Sequence, residues 1–159
     1  MGNAHSQALG LDIGRPGNGS MTVPFLACMV AVAAFYHLPP RVLPSIQLVE
    51  GGTIGTVHHN EDGSEDLGIM QINTRWSPAL ARYTGLTPAA VRSRLLFDGC
   101  FNIAAGGAIL RLYLGETHGD LMRAIGNYHS HTPVRNEAYQ AMVVRSAWRL
   151  FGGVGRRGR

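Results

Sequence analysis

The residue whose placement first suggests chemistry is Glu50. It closes a predicted helix running from about Arg41 to Glu50 and is followed at once by Gly51-Gly52. A carboxylate at a helix C-terminus faces the negative end of the helix dipole, so its position there is electrostatically unfavourable. Ile46, Leu48 and Val49 precede it. Apolar surroundings and the dipole both favour the protonated form, which is what a general acid working near neutral pH needs. Further carboxylates follow closely: of the ten acidic residues, Glu50, Glu61, Asp62, Glu65 and Asp66 fall between positions 50 and 66. Asp66 is the candidate second carboxylate, with a turn-stabilising role beside Ser64 as its alternative. Glu61, Asp62 and Glu65 read as solvated charge. His58-His59 and His129-x-His131 have the residue type of metal ligands but lack the ordered carboxylate companions of a zinc site, so no metal and no cofactor is expected.

These side chains need a scaffold. The chain has 159 residues, 45% apolar and 15% charged, which suits one folded domain and excludes a disordered chain. Residues 1–20 read as a loose leader, with Met21 as a candidate start. A domain spans 21–151, and 152–159 form a flexible Arg/Gly tail. The apolar run Phe25 to Tyr36 is too short to span a bilayer, which takes ~20 residues. It reads as a buried first helix opened by Thr22 and Pro24 rather than as a signal peptide, and no transmembrane span is expected. Pro39-Pro40 ends that helix. Asp62-Gly63 marks a tight hairpin turn. Thr87-Pro88 opens a helix to about Leu95. Asp98 caps a longer one to Leu114 that is apolar nearly all round, through Phe101, Ile103, Ala104, Ala108, Ile109 and Leu112. Gly106-Gly107 within it call for a close backbone neighbour. Asp120 to Tyr128 forms a short helix, and Thr132-Pro133 caps a last amphipathic one to about Phe151. The sum is a mostly α domain: five or six helices around a buried central helix, with a small hairpin region forming one side of a cleft.

The fourteen basic residues are all arginine, for a net charge of +4. They are scattered, with no stripe interleaved with aromatics, so nucleic acid is not an expected partner. The positive balance suits an anionic polymer such as a cell wall. Cys28 and Cys100 are either buried thiols of a reducing compartment or the ends of a long loop, whose closure is worth about 4 kcal/mol.

Glu50-Gly51-Gly52, Gly68-Ile69-Met70-Gln71-Ile72 and Gly126-Asn127-Tyr128-His129-Ser130 stand in order where lysozyme-like lytic transglycosylases carry Glu-(Ser/Gly)-Gly, Gly-Leu-Met-Gln-Ile and Ala-Tyr-Asn-Ala-Gly. The chain resembles that family over roughly residues 25 to 151. It is most similar to the small members of conjugation and secretion systems, which share a first-helix cysteine and a Cys-x-Asn-Ile segment (here Cys28 and Cys100-Phe101-Asn102-Ile103). From Asn60 to Trp76 it is also similar to animal-type lysozyme, in which the residue at Asp66 is the second catalytic carboxylate. It departs from the transglycosylase pattern at Gly51, in place of serine, and at His129, in place of asparagine.

The resemblance implies a lysozyme-like fold and cleavage of the β-1,4 MurNAc-GlcNAc bond of peptidoglycan glycan strands, with a 1,6-anhydro product. It implies Glu50 as the catalytic acid and base, and a substrate-binding set of Gly68, Met70, Gln71, Asn73, Tyr128 and His129. In that set Gly68 lets backbone approach the sugar and Tyr128 positions Glu50, while Met70 reads from its type as core packing. It makes Cys28 and Cys100 a candidate disulfide pair whose oxidation stays open, and it implies a periplasmic or envelope location, with components of a secretion or conjugation apparatus as candidate partners. The rivals are a hydrolytic muramidase using Glu50 with Asp66, and an inactive glycan-binding module.

Overall fold

The computed structural model describes residues 23–152. The leader and all of the tail except Gly152 lie outside the described residues. Within them the chain folds into seven α-helices and one three-stranded antiparallel sheet. The helices are α1 (Leu26–Phe35), α2 (Val42–Glu50), α3 (Ser77–Thr84), α4 (Pro88–Phe97), α5 (Gly99–Glu116), α6 (Leu121–His129) and α7 (Pro133–Phe151). The strands are β1 (Val57–His59), β2 (Glu65–Leu67) and β3 (Ile72–Asn73), with a 3-10 turn from Thr74 to Trp76.

Most boundaries follow local signals. Thr87 Oγ1 accepts a bond from Ala90 N–H, and Asp98 Oδ1 accepts one from Phe101 N–H, so both cap as their types predict. Asp120 does the same for Arg123. Thr132 makes no side-chain cap; Pro133 opens α7 instead. At α1 the helix starts later than expected, after Phe25, which takes a left-handed conformation (φ 57°), and it is not buried as expected: only Met29 and Ala33 are buried, while Leu26, Val30 and Phe35 are exposed. Thr22 lies outside the described residues. Two elements were not anticipated. Helix α3 carries the ordinary signals of Pro78 near its start and Gly85 (φ 72°) at its end. Strand β3 has only two residues, too few for any periodicity to register.

Helix α5 is central, packing on α1, α4 and α6. Ile103, Ala105, Ile109 and Leu110 are buried, but the burial ends near its last turns: Arg111 is exposed and Leu112 is 60% exposed, contrary to the all-round apolar reading. Gly106 and Gly107 of α5 answer to side chains rather than to a backbone neighbour. A methyl at Gly106 would meet the Tyr128 hydroxyl at 3.1 Å and Met70 at 3.4 Å, and one at Gly107 would meet Val32 and Tyr36. Cys28 on α1 and Cys100 at the start of α5 form a disulfide, with Cα atoms 5.5 Å apart.

The sheet lies to one side of the helices. Strands β1 and β2 pair with His58 opposite Asp66, and β2 pairs with β3 through Asp66 opposite Asn73. The turn is closed by Asn60 N–H to the Ser64 carbonyl and by Ser64 N–H to Asp62 Oδ1, with Gly63 at φ 80°. Glu65 is more than solvated charge. Both its oxygens accept from the Arg92 guanidinium, at 3.0 and 3.1 Å, and so tie the hairpin to α4.

Candidate active site

Glu50 ends α2, a helix buried from Val42 through Gln47. Gly51 follows in a left-handed conformation (φ 65°) and returns its N–H to the Gln47 carbonyl, a helix stop that glycine adopts without strain. Gly52 then presses on the next motif. A side chain there would collide with the Gly68 carbonyl and sit 2.9 Å from Gln71 Nε2. Gln71 in turn donates from Nε2 to the Gly68 carbonyl at 2.8 Å. The two motifs therefore interlock, and the interlock brings the Gln71 loop beside the Glu50 carboxylate.

A buried amide holds that loop from behind. Asn102 of α5 accepts from Met70 N–H and donates to the carbonyls of Leu67 and Leu95, each at 2.8 Å. Gly68 (φ 69°) lies against Leu95 and Asn102, where a side chain has no room. It is buried, so its smallness serves this internal contact and not an approach to sugar. Met70 is likewise withdrawn from the ligand set: its side chain is 0% exposed within the core. Its carbonyl accepts from the Tyr128 hydroxyl at 3.0 Å. Tyr128 thus braces the loop rather than Glu50, and burial raises its pKa well above the usual phenol value.

The group that touches Glu50 is Tyr139 of α7, 1% exposed, whose hydroxyl donates to Glu50 Oε1. Its ring is stacked on His129, with centroids 4.9 Å apart and planes within 5°. No sequence signal distinguished Tyr139 from an ordinary core aromatic on the inner face of an amphipathic helix. Its phenolic tip was the one hint, since a buried hydroxyl seeks a partner.

Glu50 opens into a cleft of about 640 Å³ between the sheet and the helices. Asp66, Gln71, Asn73, Tyr128 and His129 line it with Glu50, whereas Gly68, Met70 and His58-His59 do not. Asp66 is held from two sides, accepting from Asn60 Nδ2 at 3.0 Å and Asn73 Nδ2 at 2.8 Å. Trp76, Tyr113 and His131 also line the cleft, edge to face in succession at 6.0 and 5.2 Å. Glu116 anchors the end of this row, accepting from Asn127 Nδ2 and bonding His131 Nε2. Amides, hydroxyls and aromatic faces in an open groove suit a polyhydroxylated chain.

Burial pushes the Glu50 pKa up from 4.5 to about 7. The Tyr139 hydrogen bond opposes that rise by stabilising the carboxylate, and the Asp66 charge adds to it. A carboxyl poised there is present in both protonated and ionised forms near neutral pH, so it can give a proton and take one back, as acid and base chemistry at a single group requires. Lysozyme is the standard case of such tuning by an apolar pocket.

Comparison with known proteins agrees with this architecture. A family model described as the transglycosylase SLT domain matches residues 27–141, from α1 into α7, and so includes Glu50, the Gln71 loop and Tyr139. The invasion protein IagB of Salmonella typhimurium, in two strains, and of Salmonella typhi is 25% identical over 133 residues, covering 83% of this chain and 79% of the relative. The chain belongs to the transglycosylase SLT family, the lysozyme-like lytic transglycosylases that act on peptidoglycan.

Proposed function

We propose that the protein cleaves the β-1,4 bond between MurNAc and GlcNAc in peptidoglycan glycan strands and releases a 1,6-anhydro end. The observation that carries this reading is Glu50 itself: a carboxyl with pKa near 7, open to the cleft and hydrogen-bonded by Tyr139. Protonated Glu50 gives its proton to the glycosidic oxygen as the bond from C1 to that oxygen breaks. The resulting carboxylate takes the proton of the C6 hydroxyl of the same MurNAc, and O6 bonds C1. Glu50 ends as it began, no water is consumed, and no enzyme nucleophile is required. Gln71, Asn73 and His129 bind sugar in this scheme, and the aromatic row of Trp76 and Tyr113 carries the neighbouring residues of the strand.

The cleft supports a second reading, a hydrolytic muramidase, because Asp66 shares it with Glu50. Asp66 then acts as nucleophile or charge stabiliser and water completes the reaction. An inactive glycan-binding module is the third. The domain at work is residues 21–151. The setting is the bacterial periplasm or envelope, with local wall remodelling for a secretion or conjugation apparatus as its purpose; the relatives' designation as invasion proteins supports that context. Digestion of purified sacculi followed by mass spectrometry tests all three readings. Anhydro-MurNAc ends that vanish with Glu50→Gln are expected. Reducing ends would establish the hydrolase, and undigested sacculi the binding module.

A further inference from the structure

Two stretches of the sequence carry no acidic residue. From Val23 to Val49, through α1 and most of α2, the sequence has no Asp or Glu. From Ala138 to Arg159 it again has none, against five arginines. The helices these stretches contain meet in space: α2 packs along α7, and the Arg41 guanidinium lies over the Phe151 ring, 5.2 Å from its centroid. On the outer face of α7 stand Arg145, Trp148 and Arg149, at helical spacing and all exposed. Trp148 is 71% exposed, and Val144, one turn earlier on the same face, extends the apolar surface beside it. Among the described residues neither arginine has an acidic partner.

Two features make this more than scattered surface. An unpaired tryptophan set between two arginines combines a ring that favours an interface between water and hydrocarbon with cations that favour phosphate. Each basic residue near an anionic bilayer adds its own attraction to the surface. The face is also turned away from the cleft. Tyr139 and Trp148 are nine residues apart, about 180° around the helix axis. Tyr139 points to Glu50 and Trp148 points outward, so a surface that covers Trp148 leaves the cleft open to substrate.

We infer that the Arg145–Trp148–Arg149 face of α7, with Arg41 beside it, docks the protein on an anionic phospholipid surface. The arginines meet lipid phosphates and Trp148 enters the headgroup boundary. Docking of this kind holds a glycan-acting cleft at the membrane without a spanning helix; no single helix among the described residues is long and apolar enough to cross a membrane. The inference does not depend on which glycan product is formed.

Sedimentation of the full chain with vesicles tests it. Vesicles of phosphatidylcholine with 30% phosphatidylglycerol should carry the protein down at 0.1 M salt, and pure phosphatidylcholine should not. The double variant R145E/R149E should weaken binding about a hundredfold or more, on the roughly 1 kcal/mol per basic residue gained and lost. Trp148→Ser should weaken it about tenfold. Both variants should keep wild-type thermal stability and wild-type digestion of soluble murein fragments. Equal recovery on neutral and anionic vesicles overturns the proposal, as does undiminished binding by R145E/R149E. It is also overturned if the double variant loses affinity for sacculi or duplex DNA while the wild type ignores vesicles, since the face would then serve another polyanion.

Discussion

Tyr139 and Glu50, separated by 89 residues of chain, are joined by a hydrogen bond from the phenol to the carboxyl oxygen. The bond crosses from α7 to the end of α2, two helices packed along one another. It stabilises the charged carboxylate against a burial that favours the neutral acid. Tyr139 is in this sense a positioning residue. It fixes the direction of the carboxyl group, and its own ring is held by the stacked imidazole of His129.

Replacing Tyr139 by Phe removes the one interaction that lowers the Glu50 pKa. The alkaline limb of kcat/KM should therefore move to higher pH while kcat falls about tenfold to a hundredfold, the scale of a hydrogen bond to a charged group. A purely structural role for Tyr139 predicts lower activity with the limb unmoved. A pH profile of murein digestion separates the two.

The raised pKa of Glu50 also makes stability depend on pH. Below 4.5 folded and unfolded chains are both protonated at this group. Between 4.5 and about 7 the unfolded chain releases the proton and the folded one keeps it, so stability falls as pH rises. Above about 7 the full cost, about 3 kcal/mol, is present. Glu50→Gln escapes this cost. In urea unfolding the variant should gain on wild type by up to that amount at pH 8 and by little at pH 4. A gain that does not change with pH would contradict the assignment of burial as the cause.

Asp66→Asn discriminates the chemistry. The substitution removes a negative charge that raises the Glu50 pKa, so the alkaline limb should shift to lower pH. If Glu50 works alone, the rate at pH 6 should stay within about tenfold of wild type. A loss of about a thousandfold or more would match a carboxylate acting directly on the sugar, as in the two-carboxylate mechanism. Turnover of sacculi measured across pH reads both effects.

Asn102→Ala should be among the most damaging substitutions distant from the cleft. It leaves Met70 N–H and the carbonyls of Leu67 and Leu95 without their side-chain partner in a buried site. Unsatisfied buried groups cost about 1–3 kcal/mol each, so a loss of about 3 kcal/mol or more in urea unfolding is expected. Because this amide supports the Gln71 loop, glycan digestion should also fall under conditions where the variant is still folded.

What the sequence could determine lies mostly within a few residues of each signal. Thr87 and Asp98 cap because a side-chain oxygen reaches an N–H three residues on. Asp62-Gly63 turns because glycine accepts φ 80°. Glu50 stands at a helix end because Gly51 stops the helix behind it. Such contacts are settled within one turn of chain, so the mostly α fold and the acid at its cleft were legible. The partners of those residues were not. Met70 and Gly68 sit in a motif that suggests substrate contact, yet packing turns both inward. Tyr128 and Tyr139 are alike in type, and only the crossing of α7 over α2 decides which hydroxyl reaches Glu50. The choice depends on how distant surfaces close on one another, and that information is spread over the whole core rather than written near either residue.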